Sequence, residues 1–215
     1  MAKLTQEQLL EKYSLLSEYE NKYREIGKTV IAGIDEAGRG PLAGPVVAGA
    51  CILDPEKPIL GLDDSKKLSA KKRDMLYDEI IKNALAYSVC RVEANVIDEI
   101  NILEATKRAM RTCVTELTLK GFAPEVLLVD AVKLQGTDVA VVEPIIKGDA
   151  KSNSIAAASI LAKVTRDRIM EEYDSVYEGY GFGGHKGYGT AAHYAAIREH
   201  GMTPIHRRSF LKVIH

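Results

Sequence analysis

Four carboxylates stand where they could do chemistry. Asp35 and Glu36 end a β-branched run, Val30-Ile31-Ala32-Gly33-Ile34, and Asp130 ends a second apolar run, Glu125-Val126-Leu127-Leu128-Val129. Asp149 follows Lys147-Gly148 at a turn just before a helical segment. Acids at a strand end stay near water, whereas acids inside a strand are costly to bury. An all-oxygen donor set, with no cysteine pair or histidine cluster, suits hard divalent cations, Mg²⁺ or Mn²⁺. Two such ions about 4 Å apart clamp the attacking water and the leaving oxygen of an in-line displacement at phosphorus. Without ions the acids would repel one another and any phosphate, and at least one pKa would rise. A plainer alternative stands beside this: solvated acids at a Gly/Pro turn, with Asp149 merely capping the next helix.

Other groups cluster near these acids in the chain. Gly38-Arg39-Gly40 sets one permanent cation between two residues without side chains, so a ligand could meet bare backbone there. Lys66, Lys67, Lys71, Lys72 and Arg73 form the densest basic cluster, either a phosphate site or a solvated helix start. Gly179 to Thr190 reads as a glycine-rich loop able to press aromatic rings and backbone against a ligand. Pro204 to Phe210, with His206 and Arg207, adds a last cationic patch.

Periodicity outlines the elements that must position these groups. Residues 4 to about 26 read as one amphipathic helix, with Thr5 and Gln8 in capping-box positions and Gly27 as its stop. Strands are expected at 28–35, 45–53, 86–93 and 125–130. Helices are expected over 70–83, capped by Ser69; after Asn101, with a stripe of Leu103, Thr106, Met110, Cys113 and Leu117; from Ile155 to about Tyr173; and from Ala191 to His200. Ala156-Ala157-Ala158-Ser159 lets the third of these approach a sheet closely. Because strand neighbours face opposite sides, Asp35 and Glu36 can share a site only if the strand bends or bulges, which Ala37-Gly38 allows. If the strands ending in Asp35 and Asp130 are parallel, both acids meet at the carboxyl edge of the sheet.

Composition narrows the class. The chain has 215 residues and a formal charge of −1, enough for a sizeable core and too balanced for a generally cationic nucleic-acid binder. No apolar run approaches the roughly 20 residues of a membrane helix, and the start lacks a signal-peptide core, so the cytoplasm is the expected location. Cys51, Cys90 and Cys113 are far apart and read as buried small hydrophobes.

The run Gly33 to Val46 resembles the signature of bacterial ribonuclease HII, the type 2 ribonuclease H that cuts DNA-embedded ribonucleotides. Asp64-Ser65-Lys66-Lys67-Leu68, Lys147-Gly148-Asp149, Ser154 to Ile160, Lys163 to Asp167, and the segments 179–190 and 204–210 also resemble that family. The resemblance spans roughly residues 28 to 210. It implies a ribonuclease H-like α/β fold, a central mixed five-stranded sheet flanked by helices, over 28–215 with a C-terminal helical part, after a helical extension at 1–27. It also implies Asp35, Glu36 and Asp130 as the main ligands of two Mg²⁺ or Mn²⁺ ions, with Asp149 as a fourth acid. Gly38, Arg39 and Gly40 match the motif that reads the ribose 2′-OH. Tyr188 matches a tyrosine that stacks on the next deoxynucleotide sugar, and Lys66, Lys67, His206 and Arg207 become substrate-binding candidates. The implied partners are RNA/DNA hybrids and DNA containing ribonucleotides, bound by a monomer with no membrane and no obligate protein partner. Cutting 5′ of the ribonucleotide would leave a 3′-hydroxyl and a 5′-phosphate. One departure is Ala131-Val132, where many relatives carry a Gly-Asn-like turn.

Three rivals remain at this stage. Ribonuclease HIII shares the acids but has Lys at the place of Arg39 and a larger N-terminal domain. A hybrid-binding module without catalysis could lose carboxylates, and a resolvase-like nuclease would have no reason to keep a 2′-OH-reading loop.

Overall fold

Residues 4–211 are described by a computed structural model; Met1 to Lys3 and residues 212–215, the outer ends of the expected extension and main domain, lie outside the described residues. Five strands form one sheet: β1 (Ile31–Ala37), β2 (Val46–Ile52), β3 (Ala86–Val92), β4 (Val126–Asp130) and β5 (Val141–Ile145). Their order is β3-β2-β1-β4-β5. β2 runs antiparallel to both β1 and β3, whereas β4 is parallel to β1 and β5 to β4. The mixed five-stranded α/β sheet is therefore the one expected. Pro144 is tolerated in β5 because that strand forms an edge.

Eight α-helices accompany the sheet among the described residues: α1 (Gln6–Leu15), α2 (Glu18–Arg24), α3 (Ala70–Asn83), α4 (Ala94–Ile100), α5 (Ile102–Leu119), α6 (Asn153–Val176), α7 (Phe182–His185) and α8 (Ala191–His200). Ala105, Ala109, Met110, Cys113 and Leu117 of α5 pack with β1 to β4 in one core cluster. Ala156, Ala157, Ala158 and Leu161 of α6 belong to another cluster, shared with α3. Each fully buried aliphatic side chain in such layers contributes roughly 1.5–3 kcal/mol. The small residues of α6 find their counterpart in the sheet. A Cβ on Gly33 would lie 2.1 Å from the Ser154 carbonyl carbon, and one on Gly49 would lie 2.5 Å from Ala158 O. Only glycine at these two places lets α6 press against β1 and β2.

Several expectations need correction. The N-terminal helix is two helices, broken at Leu16-Ser17, because the end of α1 is satisfied from elsewhere in the chain. Asn153 donates from its backbone N–H to Leu16 O and from Nδ2 to Tyr13 O, and Ser17 Oγ donates to Tyr13 O. Helix α4 had no sequence signal: it has seven residues, and its first position has no side-chain cap. Leu103 faces solvent rather than the core. The segment 179–190 is not a free loop, since it contains α7. Phe182 is buried among Tyr180, His185, His193 and His206, which leaves Tyr188 as its exposed ring. All three cysteines are buried, as expected. No helix among the described residues is long and apolar enough to cross a membrane.

Candidate active site

The parallel pairing of β1 and β4 runs from Ile31↔Val126 to Ile34↔Val129, so Asp35 and Asp130 are the next residues on adjacent strands. Beyond that point β1 stays with β2 through Ala37↔Val47, while Asp130 pairs with Ile145 of β5. The recorded β1–β4 pairing thus ends at the carboxyl edge, where open α/β sheets hold their ligands. The register of β1 with β2 is one-to-one through Asp35 and Glu36, so of the two devices considered, a bend or a bulge, no bulge separates them. Both acids nonetheless line the same cleft.

Asp149 comes from a one-turn 3₁₀ helix, Gly148–Ala150. The left-handed residue of that turn is Lys147, at φ +58°, not Gly148. Gly148 instead donates its N–H to Asp130 Oδ1 at 2.7 Å. One carboxylate oxygen each from Asp35, Asp130 and Asp149 lie within 4.8 Å of one another. Glu36 stands beside them with Oε1 3.4 Å from Arg39 Nη1. Its other oxygen, Oε2, is buried without a hydrogen-bond partner among the described residues.

The cleft has a volume of about 270 Å³ and is lined by Asp35, Glu36, Gly38, Arg39, Gly40, Ser65, Lys66, Ser159, Lys163, Arg166 and Tyr188, among others. A second hollow is bordered by Asp64, Lys66, Lys67, Asp130 and Asp149. Lys66 borders both hollows, so the acids stand where the two meet. Tyr188 is 49 % exposed, and its ring would lie 3.7 Å from a Cβ on Gly40.

Crowding shows in the electrostatics. Burial first, then Glu36 and Asp130, pushes Asp35 well above the ordinary carboxylate range. Burial also raises Glu36 against the pull of Arg39. Asp149 is pushed up to about 6 by burial, Asp130 and Asp64. Burial pulls Lys66 down, but Asp64, Asp149, Asp35 and Asp130 together leave it above its usual value. A buried all-oxygen set with an orphaned carboxylate oxygen and uncompensated negative charge fits a hard divalent cation.

Such a cluster makes metal-dependent stability vary with pH. A carboxyl raised in the fold keeps a proton that the unfolded chain has already released near 3.9. That contribution is present at low pH and is lost as pH rises through about 6 for Asp149. Above it, clustered charge destabilises the metal-free fold and a cation relieves it. Mg²⁺ is therefore expected to raise the melting temperature more at pH 8 than at pH 5 in scanning calorimetry; equal shifts would contradict this.

Two of the expected substrate contacts are corrected. His206 is 2 % exposed and Arg207 is fully buried. His206 faces His193 across 3.1 Å, and Arg207 holds the loop that follows β1. Its Nη2 donates to Gly38 O at 2.6 Å, Nη1 to Arg39 O at 3.0 Å and Nε to Gly44 O at 3.0 Å. Arg166, which sequence reasoning did not single out, does the same from α6, donating to Pro45 O, Ala43 O and Lys186 O. Gly38 has φ +94°, and a Cβ there would lie 2.1 Å from Arg166 Nε, so this arginine also requires the glycine. The signal was the spacing Ala162, Arg166, Met170, an arginine within a buried helical stripe. Lys67 is exposed and pairs with Asp63 at 3.6 Å.

Ala131, directly after Asp130, has φ +51° and donates to Ile145 O at 3.0 Å. This is the place where a glycine-like turn is expected. A non-glycine residue there costs roughly 1–2 kcal/mol, partly offset by the unfolded-state entropy of glycine. Ala131→Gly is expected to stabilise the fold by about 0.5–1 kcal/mol in urea denaturation; a loss would contradict the strain.

Comparison with known proteins agrees with this geometry. A family model described as Ribonuclease HII matches residues 32–213. A ribonuclease HII of Enterococcus faecalis is 50 % identical over 210 residues, covering 98 % of this chain and 80 % of that protein. Among solved structures, the ribonuclease H2 of Pyrococcus horikoshii is 30 % identical with a TM-score of 0.68, over 83 % of this chain and 92 % of that one. The ribonuclease HII of Archaeoglobus fulgidus, solved in complex with PCNA, is also 30 % identical, with a TM-score of 0.69 over 85 % and 94 %. With the acids at the carboxyl edge of a mixed five-stranded sheet, this chain belongs to the ribonuclease HII family and is a metal-dependent ribonuclease H, an enzyme of RNA/DNA hybrids.

Proposed function

We propose that the chain cuts on the 5′ side of ribonucleotides, including single ones embedded in duplex DNA, leaving a 3′-hydroxyl and a 5′-phosphate. The observation that carries this reading is that Asp35 and Glu36 line one cleft with the Gly38-Arg39-Gly40 loop while Asp35 also clusters with Asp130 and Asp149. Asp35, Glu36 and Asp130 would hold Mg²⁺ or Mn²⁺, two ions in the reacting complex, with Asp149 as the fourth acid. When bound, such ions neutralise phosphate charge and lower the pKa of a coordinated water. Lys66, between the two hollows, draws the phosphate toward the acids. The loop's backbone meets the 2′-OH, a group that donates and accepts at once. Arg166 and Arg207 hold that loop by its own carbonyls, which keeps it rigid enough to discriminate. Water attacks phosphorus, the P–O3′ bond breaks, and the leaving oxygen takes a proton to become the 3′-hydroxyl. All four acids come from one chain, so a monomer suffices, acting in the cytoplasm.

The test is a duplex with one ribonucleotide beside an all-DNA control, in Mg²⁺ and separately in Mn²⁺, with the product ends mapped. A single cut 5′ of the ribonucleotide is expected; equal cutting of the control would remove ribose discrimination. Tyr188, exposed at the rim, is read as stacking on the sugar beyond the cut. Tyr188→Ala is expected to lower kcat/KM on that duplex by about 5- to 150-fold, the equivalent of ~1–3 kcal/mol of stacking. An unchanged preference for the RNA-to-DNA step would contradict this role.

A further inference from the structure

Helices α1 and α2 precede the residues 32–213 matched by the family model, yet they bond to Ser152, Asn153 and Ser154, the start of α6 just after the turn that carries Asp149. Glu20 of α2 is 2 % exposed. Its Oε1 accepts from Ser152 Oγ at 2.7 Å, from Ser154 N–H at 2.8 Å and from Ser154 Oγ at 2.6 Å. Ser152 and Ser154 are themselves fully buried, at the start of α6 and just after the 3₁₀ turn. From Ser152 the path continues inward. Its N–H donates to Gly148 O at 2.8 Å, and the Gly148 N–H donates to Asp130 Oδ1 at 2.7 Å. One hydrogen-bonded string thus joins Glu20, Ser152, Gly148 and Asp130, and Asp149 rides on the same turn.

The physical chemistry favours this arrangement. The first amides of a helix have no partner within it, and a buried helix start must find acceptors elsewhere. Ser152 supplies one by capping Ile155 N–H at 3.2 Å, and Glu20 supplies another from a different helix. A carboxylate beside a helix N-terminus is also favoured by the helix dipole. On the same α2, Tyr23 reaches β5 by donating to Glu143, a separate anchor on the strand that precedes this turn.

We propose that Glu20 is a positioning residue for the metal-holding acids: by fixing the turn 148–154 it fixes the carboxylates of Asp130 and Asp149. This rests on the reading that those acids hold the divalent ion. The N-terminal helices are in this view part of the active-site scaffold and not an appendage.

The test uses the full chain and Mn²⁺ alone, with binding followed by loss of the free-ion electron paramagnetic resonance signal. Glu20→Ala is expected to weaken Mn²⁺ binding about 10-fold, the low end for an outer partner of a metal ligand. Glu20→Gln keeps an acceptor oxygen and the side-chain shape, so it should fold and lose only about 2- to 3-fold. Tyr23→Phe loosens the same helix at its other anchor and should bind Mn²⁺ as the wild type does. Wild-type affinity in both Glu20 variants would overturn the proposal, as would a loss in Tyr23→Phe equal to that in the Glu20 variants. A wild-type protein that takes up no Mn²⁺ would instead overturn the reading of the acids, and this inference with it.

Discussion

Asp130→Asn is expected to lower kcat by at least ~10²-fold on a duplex with one ribonucleotide, while substrate KM changes far less. The substitution keeps the shape of the side chain and can keep an acceptor for the Gly148 N–H, so the 148–154 turn should stand. What it removes is one of the negative charges that crowd Asp35 and Asp149. In the metal-free protein that removal relieves repulsion, so the variant should melt at the same temperature or higher. A loss of rate without a loss of stability separates a ligand from a structural acid. Turnover within a few-fold of wild type would take Asp130 out of the reaction.

Arg207→Met is expected to have the largest effect on stability. It leaves the carbonyls of Gly38, Arg39 and Gly44 without their donor. Gly44 is buried and Gly38 partly so. An unsatisfied buried carbonyl costs about 1–3 kcal/mol, so a loss on the order of 3–5 kcal/mol is expected. Against a total of ~5–15 kcal/mol that is a severe change. Urea denaturation measures it, and at a temperature where the variant stays folded its preference for ribonucleotide over all-DNA duplex should fall. A wild-type urea midpoint would show that the guanidinium does not hold the loop.

Much of this was legible in the sequence because local signals and tertiary demands agree there. Thr5 and Ser69 cap their helices, and the apolar runs ending in Asp35 and Asp130 pair in parallel, the arrangement under which both acids reach the carboxyl edge of the sheet. The family's long motifs brought the four acids together as candidates, and the structure sets three of them within one cluster and Glu36 at its side. Other features are set by contacts distant in sequence. The break between α1 and α2 exists because Asn153 occupies the end of α1, and no local residue announces it. His206 and Arg207 looked like surface cations because charge near a chain end usually seeks water; here a loop rich in carbonyls draws the guanidinium inside. Nothing local marks Glu20 for burial; the start of α6, distant in the chain, packs against it.

The most direct measurement is anomalous diffraction from crystals of the protein soaked in Mn²⁺. Manganese peaks are expected against the carboxylates of Asp35, Glu36 and Asp130, at the meeting point of the cleft and its neighbouring hollow. Manganese bound elsewhere, or carboxylates of Asp35 and Asp130 that turn apart with no ion between them, would contradict the central claim that these strand ends converge to hold the metal.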